Sequence, residues 1–317
     1  MTGGTSLLGR GVAEWLGDRG DEVAVFQRHS SGIDLPERLG DVGDRTAVAA
    51  AVAGSDAVVH LAARVGVTGS WSAFERTNID GTRNLIEESL AAGVGRFVFV
   101  SSPSVAHAGA SLVGAGAGRA DPRATRGHYA TSKAAAELIA LGAATEGFAV
   151  TAIRPHLVWG PGDTQLVGRI VDRARQGRLA IVGTGAALID TTYIDNAVAA
   201  IVAAVDRAPL LSGRALVVSN GQPRPVRELL SRIVAAAGLP SPRFRVPAGA
   251  AKAGGRVVEE VWDRRGLEAD PPMTSFLAEQ LATAHWFDQR ETRRALEWTP
   301  AVTLEEGFTR LTAWFEA

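Results

Sequence analysis

Four short segments of this chain are dominated by Val, Ala and Phe with no polar alternation: residues 22–27 (EVAVFQ), 57–61 (AVVHL), 96–101 (RFVFVS) and 149–154 (AVTAIR). A strand with one face in water alternates apolar and polar residues, so runs like these mark strands covered on both faces. Between them, apolar residues recur at helical spacing over residues 10–18, 46–53, 73–92 and 132–145. Strands alternating with helices predict an α/β fold, a doubly wound parallel sheet with helices packed on both sides.

At 317 residues, 46% of them hydrophobic, the chain can bury one large core and a smaller C-terminal α/β lobe. Two stretches break the alternation: residues 109–127, read as a long loop, and residues 240–272, rich in Pro and Gly around a helix at 251–264. A net charge of −1 gives no broad footprint for nucleic acid. The absence of cysteine excludes disulfides and thiolate chemistry and agrees with a reducing compartment. With no membrane-spanning run and no metal-ligand spacing, a cytoplasmic protein without metal is expected.

The chain opens on TGGTSLLG, residues 2–9, where Gly3 and Gly9 allow a tight turn that brings backbone N–H groups to a pyrophosphate at a helix N-terminus. Such a loop is expected of a Rossmann-type sheet. Residues 1–165, with return elements from about 186–220, are expected to bind a dinucleotide, and 166–317 mainly the substrate. In HYATSKAAAE, residues 128–137, Tyr129 and Lys133 stand four apart and share a helix face. Lysine occurs only at 133 and 252. A neighbouring ammonium is expected to lower the pKa of the tyrosine, which then acts as acid or base on a carbonyl oxygen.

With HLAA at 60–63, SSPSV at 101–105, NIDGTRNL at 78–85 and RPHLVWGPGD at 154–163, the chain resembles the extended short-chain dehydrogenase/reductases along nearly its whole length. Ser6 stands where that family has its middle glycine. The resemblance implies a catalytic group of Ser102, Tyr129 and Lys133. It implies cofactor contacts from Gly3, Thr5, Ser6, Leu7, Leu8, Gly9, Asp41, Val42, Leu61, Ala62, Ala63, Asn78, Tyr129, Lys133, Pro155, Leu157 and Val158, and substrate contacts from Ser104, Val105 and Trp159. His60 and His156 are read as packed residues at strand ends.

No acidic residue stands at the end of strand 22–27, where FQRHSS places Arg28 and Ser30 instead. A forked cation and hydroxyl donors suit a 2′-phosphate, so NADP(H) is expected to be preferred, with NAD(H) possible. The small and apolar run at 106–118, with VWGPGD and PPMTSFLAEQLA at 271–282, is most similar to the 3β-hydroxysteroid-dehydrogenase-like group. Within that group the likeness is nearest to ketoreductases of long-chain 2-alkyl-3-oxoalkanoates. An apolar small-molecule substrate and a homodimer through helices 73–92 and 132–145 follow by analogy. Alternatives are a 3β-hydroxysteroid dehydrogenase, a sugar-nucleotide epimerase or dehydratase, and a non-enzymatic NADP sensor, the last normally without the Tyr and Lys present here.

In the family an apolar strand of about five residues precedes TGG at the centre of the sheet. Met1 stands where its last residue belongs. The first strand therefore reads as missing, and a start upstream of Met1 is expected. A chain folded without that strand should show a gap or an unusual filler in its sheet.

Overall fold

The computed structural model describes residues 1–317 apart from 67, 107–108, 266–270 and 272. One sheet runs in the order Glu37–Leu39, Val25–Gln27, Ala57–His60, Arg96–Val100, Ala149–Pro155 and Ala215–Val218, parallel throughout. Its central strands are buried on both faces: Phe97, Val98, Phe99, Val150 and Ile153 are at most 1% exposed. On one side the helices Arg45–Val52, Gly81–Ala91 and His128–Gly142 cover Phe97, Phe99 and Val150 with Val48, Leu85, Ala136 and Ala140. On the other side Leu7–Asp18 packs against Ile194–Leu211. The second of these lies against Arg96–Val100 and Ala149–Pro155 and buries Ala197, Ala200 and Ala204, small residues that let elements approach closely, together with Ile201.

The strand Ala215–Val218 returns to this sheet beside Ala149–Pro155. The lobe beyond it is built from short strands: Leu188–Ile189, Arg224–Pro225 and His285–Phe287 in one sheet, Ala180–Val182 and Phe244–Val246 in another. The helices Ala248–Arg265 and Ser275–Ala282 pack on each other there.

Several elements differ from their sequence reading. The loop expected at 109–127 contains a strand, Leu112–Ala115, paired in parallel with His285–Phe287. A partner some 170 residues away leaves no local trace. His107, Ala108 and Pro272, from two of the segments that carried the substrate reading, lie outside the described residues. The helix expected at 73–92 is three pieces, Trp71–Phe74, a π-helical Glu75–Asp80 and Gly81–Ala91. The helix expected from 132 starts at His128, just after Gly127 at φ 80°.

At the position of the expected first strand lie Met1 and Thr2. Thr2 bridges Phe26 on one side and His60 on the other, with its N–H on Val59 O at 2.9 Å, while Phe26 N–H donates to Met1 O at 2.7 Å. Beyond them the two halves of the sheet separate around a cleft of about 820 Å³ lined by Leu16, Val23, Ala24, Val52, Val58 and Leu85. Met1 and Thr2 thus join the two halves of the sheet at its cofactor-facing end.

Candidate active site

The glycine loop is set by close approach. Gly3 has φ +82°, and a Cβ there would meet Ala62 N at 2.8 Å; a Cβ on Gly9 would meet Gly3 O at 2.1 Å. Ser6 needs no glycine conformation, since its backbone is extended at φ −81°. It caps the Leu7–Asp18 helix, Oγ accepting from Gly9 N at 3.0 Å and donating to Gly3 O at 2.9 Å. With Gly9 N–H taken by that cap, the N–H groups of Leu7 and Leu8 head the helix without an intrahelical acceptor, an arrangement suited to a pyrophosphate.

Beside this loop runs a cleft of about 440 Å³. Of the residues expected to hold a cofactor, Gly3, Thr5, Ser6, Leu7, Leu8, Arg28, Asp41, Val42, Leu61, Ala62, Ala63, Tyr129, Lys133, Pro155 and Val158 line it. A loop that excludes side chains, a helix N-terminus, and the cations Arg28 and Lys133 in one lining fit a dinucleotide. Gly9, Ser30, Asn78 and Leu157 are not in the lining. Gly9 packs the helix onto the loop, and Ser30 Oγ donates to Glu37. Leu157 is 38% exposed at φ +44°. Asn78 lies buried in the π-helical turn, where Oδ1 accepts from Arg64 N at 2.7 Å and Nδ2 donates to Ser132 Oγ at 2.9 Å.

Ser102 follows the strand Arg96–Val100; its hydroxyl lies 3.0 Å from Ser104 Oγ and close enough to the Tyr129 phenol to lower the phenol's pKa. Lys133, one turn beyond Tyr129, is 2% exposed and donates to Val100 O at 2.7 Å, its ammonium 4.0 Å from the Phe99 ring centre. Burial lowers the pKa of that ammonium to about 7 against the raising influence of Glu137. Tyr129 departs from the sequence expectation: burial raises its pKa, with the Ser102 hydrogen bond opposing. Lys133 turns its charge to Val100 O, so desolvation outweighs any help it gives the phenolate.

Two expected substrate contacts are core instead. Trp159 is 1% exposed, stacked on Phe308 at 4.6 Å, with Nε1 donating to Thr191 Oγ1. Val105 is fully buried with Ala120 and Ala134. Aromatic and branched residues at strand ends carry no sign in sequence of which way they face.

His60 is a packed strand-end residue with a defined proton. Thr82 Oγ1 donates to Asn78 O, so it accepts from His60 Nε2; Nδ1 then accepts from Thr2 Oγ1, which itself accepts the Ala62 N–H. Burial first, and Lys133 next, hold its pKa well below the ordinary value and keep it neutral. Sequence reasoning missed Gln27, His29, Val65, Thr77, Ser101, Asp163 and Gln165 in the cleft lining. Of these Asp163 was accessible, since an Asp after Gly-Pro-Gly is a helix-capping signal; its carboxylate accepts from Gln165, Leu166 and Val167 N–H.

Fold and cleft together define an NAD(P)-dependent oxidoreductase of the Rossmann type. The chain belongs to the NAD dependent epimerase/dehydratase family, which matches residues 1–218, and within it to the extended short-chain dehydrogenase/reductases. It is 41% identical to a 2-alkyl-3-oxoalkanoate reductase of Stenotrophomonas maltophilia (strain K279a), over 99% of this chain and 98% of that one. It is 30% identical to the human sterol-4-alpha-carboxylate 3-dehydrogenase, decarboxylating, over 98% and 86%. The solved structure of MoeE5 in complex with UDP-glucose and NAD shares the fold, with TM-score 0.77 at 24% identity over 99% and 97%. Among the described residues, no helix is long and apolar enough to cross a membrane.

Proposed function

We propose that this enzyme reduces the 3-keto group of a long-chain 2-alkyl-3-oxoalkanoate to the 3-hydroxy acid, preferring NADPH and accepting NADH. The observation that carries this reading is that Tyr129 and Lys133 line one cleft together with the glycine loop and Arg28, with Ser102 beside the phenol. The full-length likeness to the Stenotrophomonas reductase supports the substrate, and Arg28 at the strand end supports a 2′-phosphate.

A bound nicotinamide supplies the hydride. Tyr129 holds its proton at neutral pH, because burial raises its pKa, and releases it to the ketone oxygen as negative charge develops there. Ser102 bonds that same oxygen and fixes it in line with the phenol. Lys133, anchored on Val100 O, carries the positive charge that stabilises the phenolate left behind and takes the nicotinamide ribose. We assign the enzyme to the cytoplasm as a homodimer through Gly81–Ala91 and His128–Gly142, where Leu90 is exposed.

The test is NADPH consumption with a long-chain 2-alkyl-3-oxo acid, a 3-ketosteroid and a UDP-sugar in parallel. Turnover of the keto acid alone is expected; turnover of the steroid alone moves the enzyme to the sterol branch.

A further inference from the structure

The strand Val25–Gln27 runs on into Arg28, His29, Ser30 and Ser31, and Glu37 reaches across from the neighbouring strand to this corner. Its carboxylate accepts four hydrogen bonds, from Gln27 Nε2 at 2.6 Å, Ser30 Oγ at 2.5 Å, Ser31 N at 2.8 Å and Ser31 Oγ. The two serine hydroxyls, Ser30 foremost, lower its pKa to about 2, so it is ionised throughout the neutral range. Gln27, Arg28 and His29 line the cofactor cleft, whereas Ser30 and Ser31 do not. Gln27 is 6% exposed, and its Oε1, unpartnered among the described residues, lies against Gly4 of the glycine loop. An acceptor so placed suits a ribose hydroxyl.

NADH and NADPH differ only at the adenosine 2′ position, and a 2′-phosphate is held by cations and donors. Here both serine protons are committed to a carboxylate. The sequence reading of Ser30 as a free donor is corrected by this arrangement, because the competing acid comes from the next strand. We propose that Glu37 limits the preference for NADPH, withholding Ser30 and Ser31 from a 2′-phosphate so that Arg28 binds it without them. The inference rests on the dinucleotide reading of the cleft and deepens its cofactor assignment.

The test is the dissociation constants of NADPH and NADH, read by fluorescence titration without substrate. Five proteins are compared: the parent, Glu37→Gln, Glu37→Asp, the double variant Ser30→Ala/Ser31→Ala, and the triple variant Glu37→Gln/Ser30→Ala/Ser31→Ala. Glu37→Gln keeps the shape, removes the charge and one acceptor oxygen, and so weakens the hold on the hydroxyls; it is expected to shift the affinity ratio toward NADPH about tenfold. The double variant is expected to keep the parent ratio, and the triple variant to lose the gain. An unshifted ratio in Glu37→Gln overturns the proposal, as does a loss of NADPH affinity in the double variant alone. Glu37→Asp, which keeps the charge, separates a folding defect from a charge effect, since it should bind with the parent ratio. Tighter binding of NADH by the parent rejects the NADPH preference and leaves the Glu37→Gln shift as the separate measure of this proposal.

Discussion

Arg154 and Glu137 face each other with both side chains out of solvent, Nε 2.9 Å from Oε2. Glu137 lies one turn beyond Lys133, and Arg154 also donates to Ala117 O. One buried pair therefore ties the Tyr129 helix to the sheet and to the segment that follows Leu112–Ala115.

Removing one partner leaves the other charge buried without compensation. Arg154→Met or Glu137→Leu alone is expected to cost about 3–5 kcal/mol, and the double variant much less than the sum. Urea unfolding of the four proteins measures this, and additive losses would show that the pair acts as two independent contacts.

The buried ammonium of Lys133 makes stability depend on pH. Its folded-state pKa of about 7 lies below the ordinary 10.5, so the fold disfavours the charged form. That penalty is complete below about pH 7 and fades as pH rises toward the ordinary lysine value. Lys133→Met should therefore lose activity, and its melting temperature relative to the parent should stand highest at low pH. A difference that does not change with pH contradicts the assignment.

Loss of the Tyr129 hydroxyl in Tyr129→Phe is expected to lower kcat by about 10²–10⁴, the range of positioned general acids. Loss of the serine hydroxyl in Ser102→Ala should lower it by about 10²–10³. Steady-state kinetics at saturating cofactor check both; near-parental kcat in Tyr129→Phe would withdraw the mechanism.

If Trp159 is core, its removal harms stability and leaves substrate choice alone. Trp159→Ala is expected to cost about 3–5 kcal/mol, while Trp159→Phe folds and keeps the parent's ratio of kcat/KM for long and short substrates. A chain-length preference altered by the phenylalanine variant would return Trp159 to the substrate site.

The parallel sheet and the catalytic helix were legible in the sequence because their signals are local. Unbroken apolar runs such as RFVFV mark doubly covered strands, and Tyr129 and Lys133 share a helix face by spacing alone. What failed to show depended on distant partners. Leu112–Ala115 becomes a strand through His285–Phe287, Glu37 meets Ser30 and Ser31 only once two strands pair, and Trp159 faces inward because Phe308 waits there.

The central claim, ketone reduction at C3 of a 2-alkyl-3-oxo acid, is tested most directly by following the transferred hydrogen. NADPH labelled with deuterium at the transferring position of the nicotinamide is incubated with enzyme and keto acid, and the product is read by mass spectrometry. The account predicts one deuterium at C3 with the parent and negligible labelled product with Tyr129→Phe. Deuterium at another carbon, or unlabelled product, would contradict it.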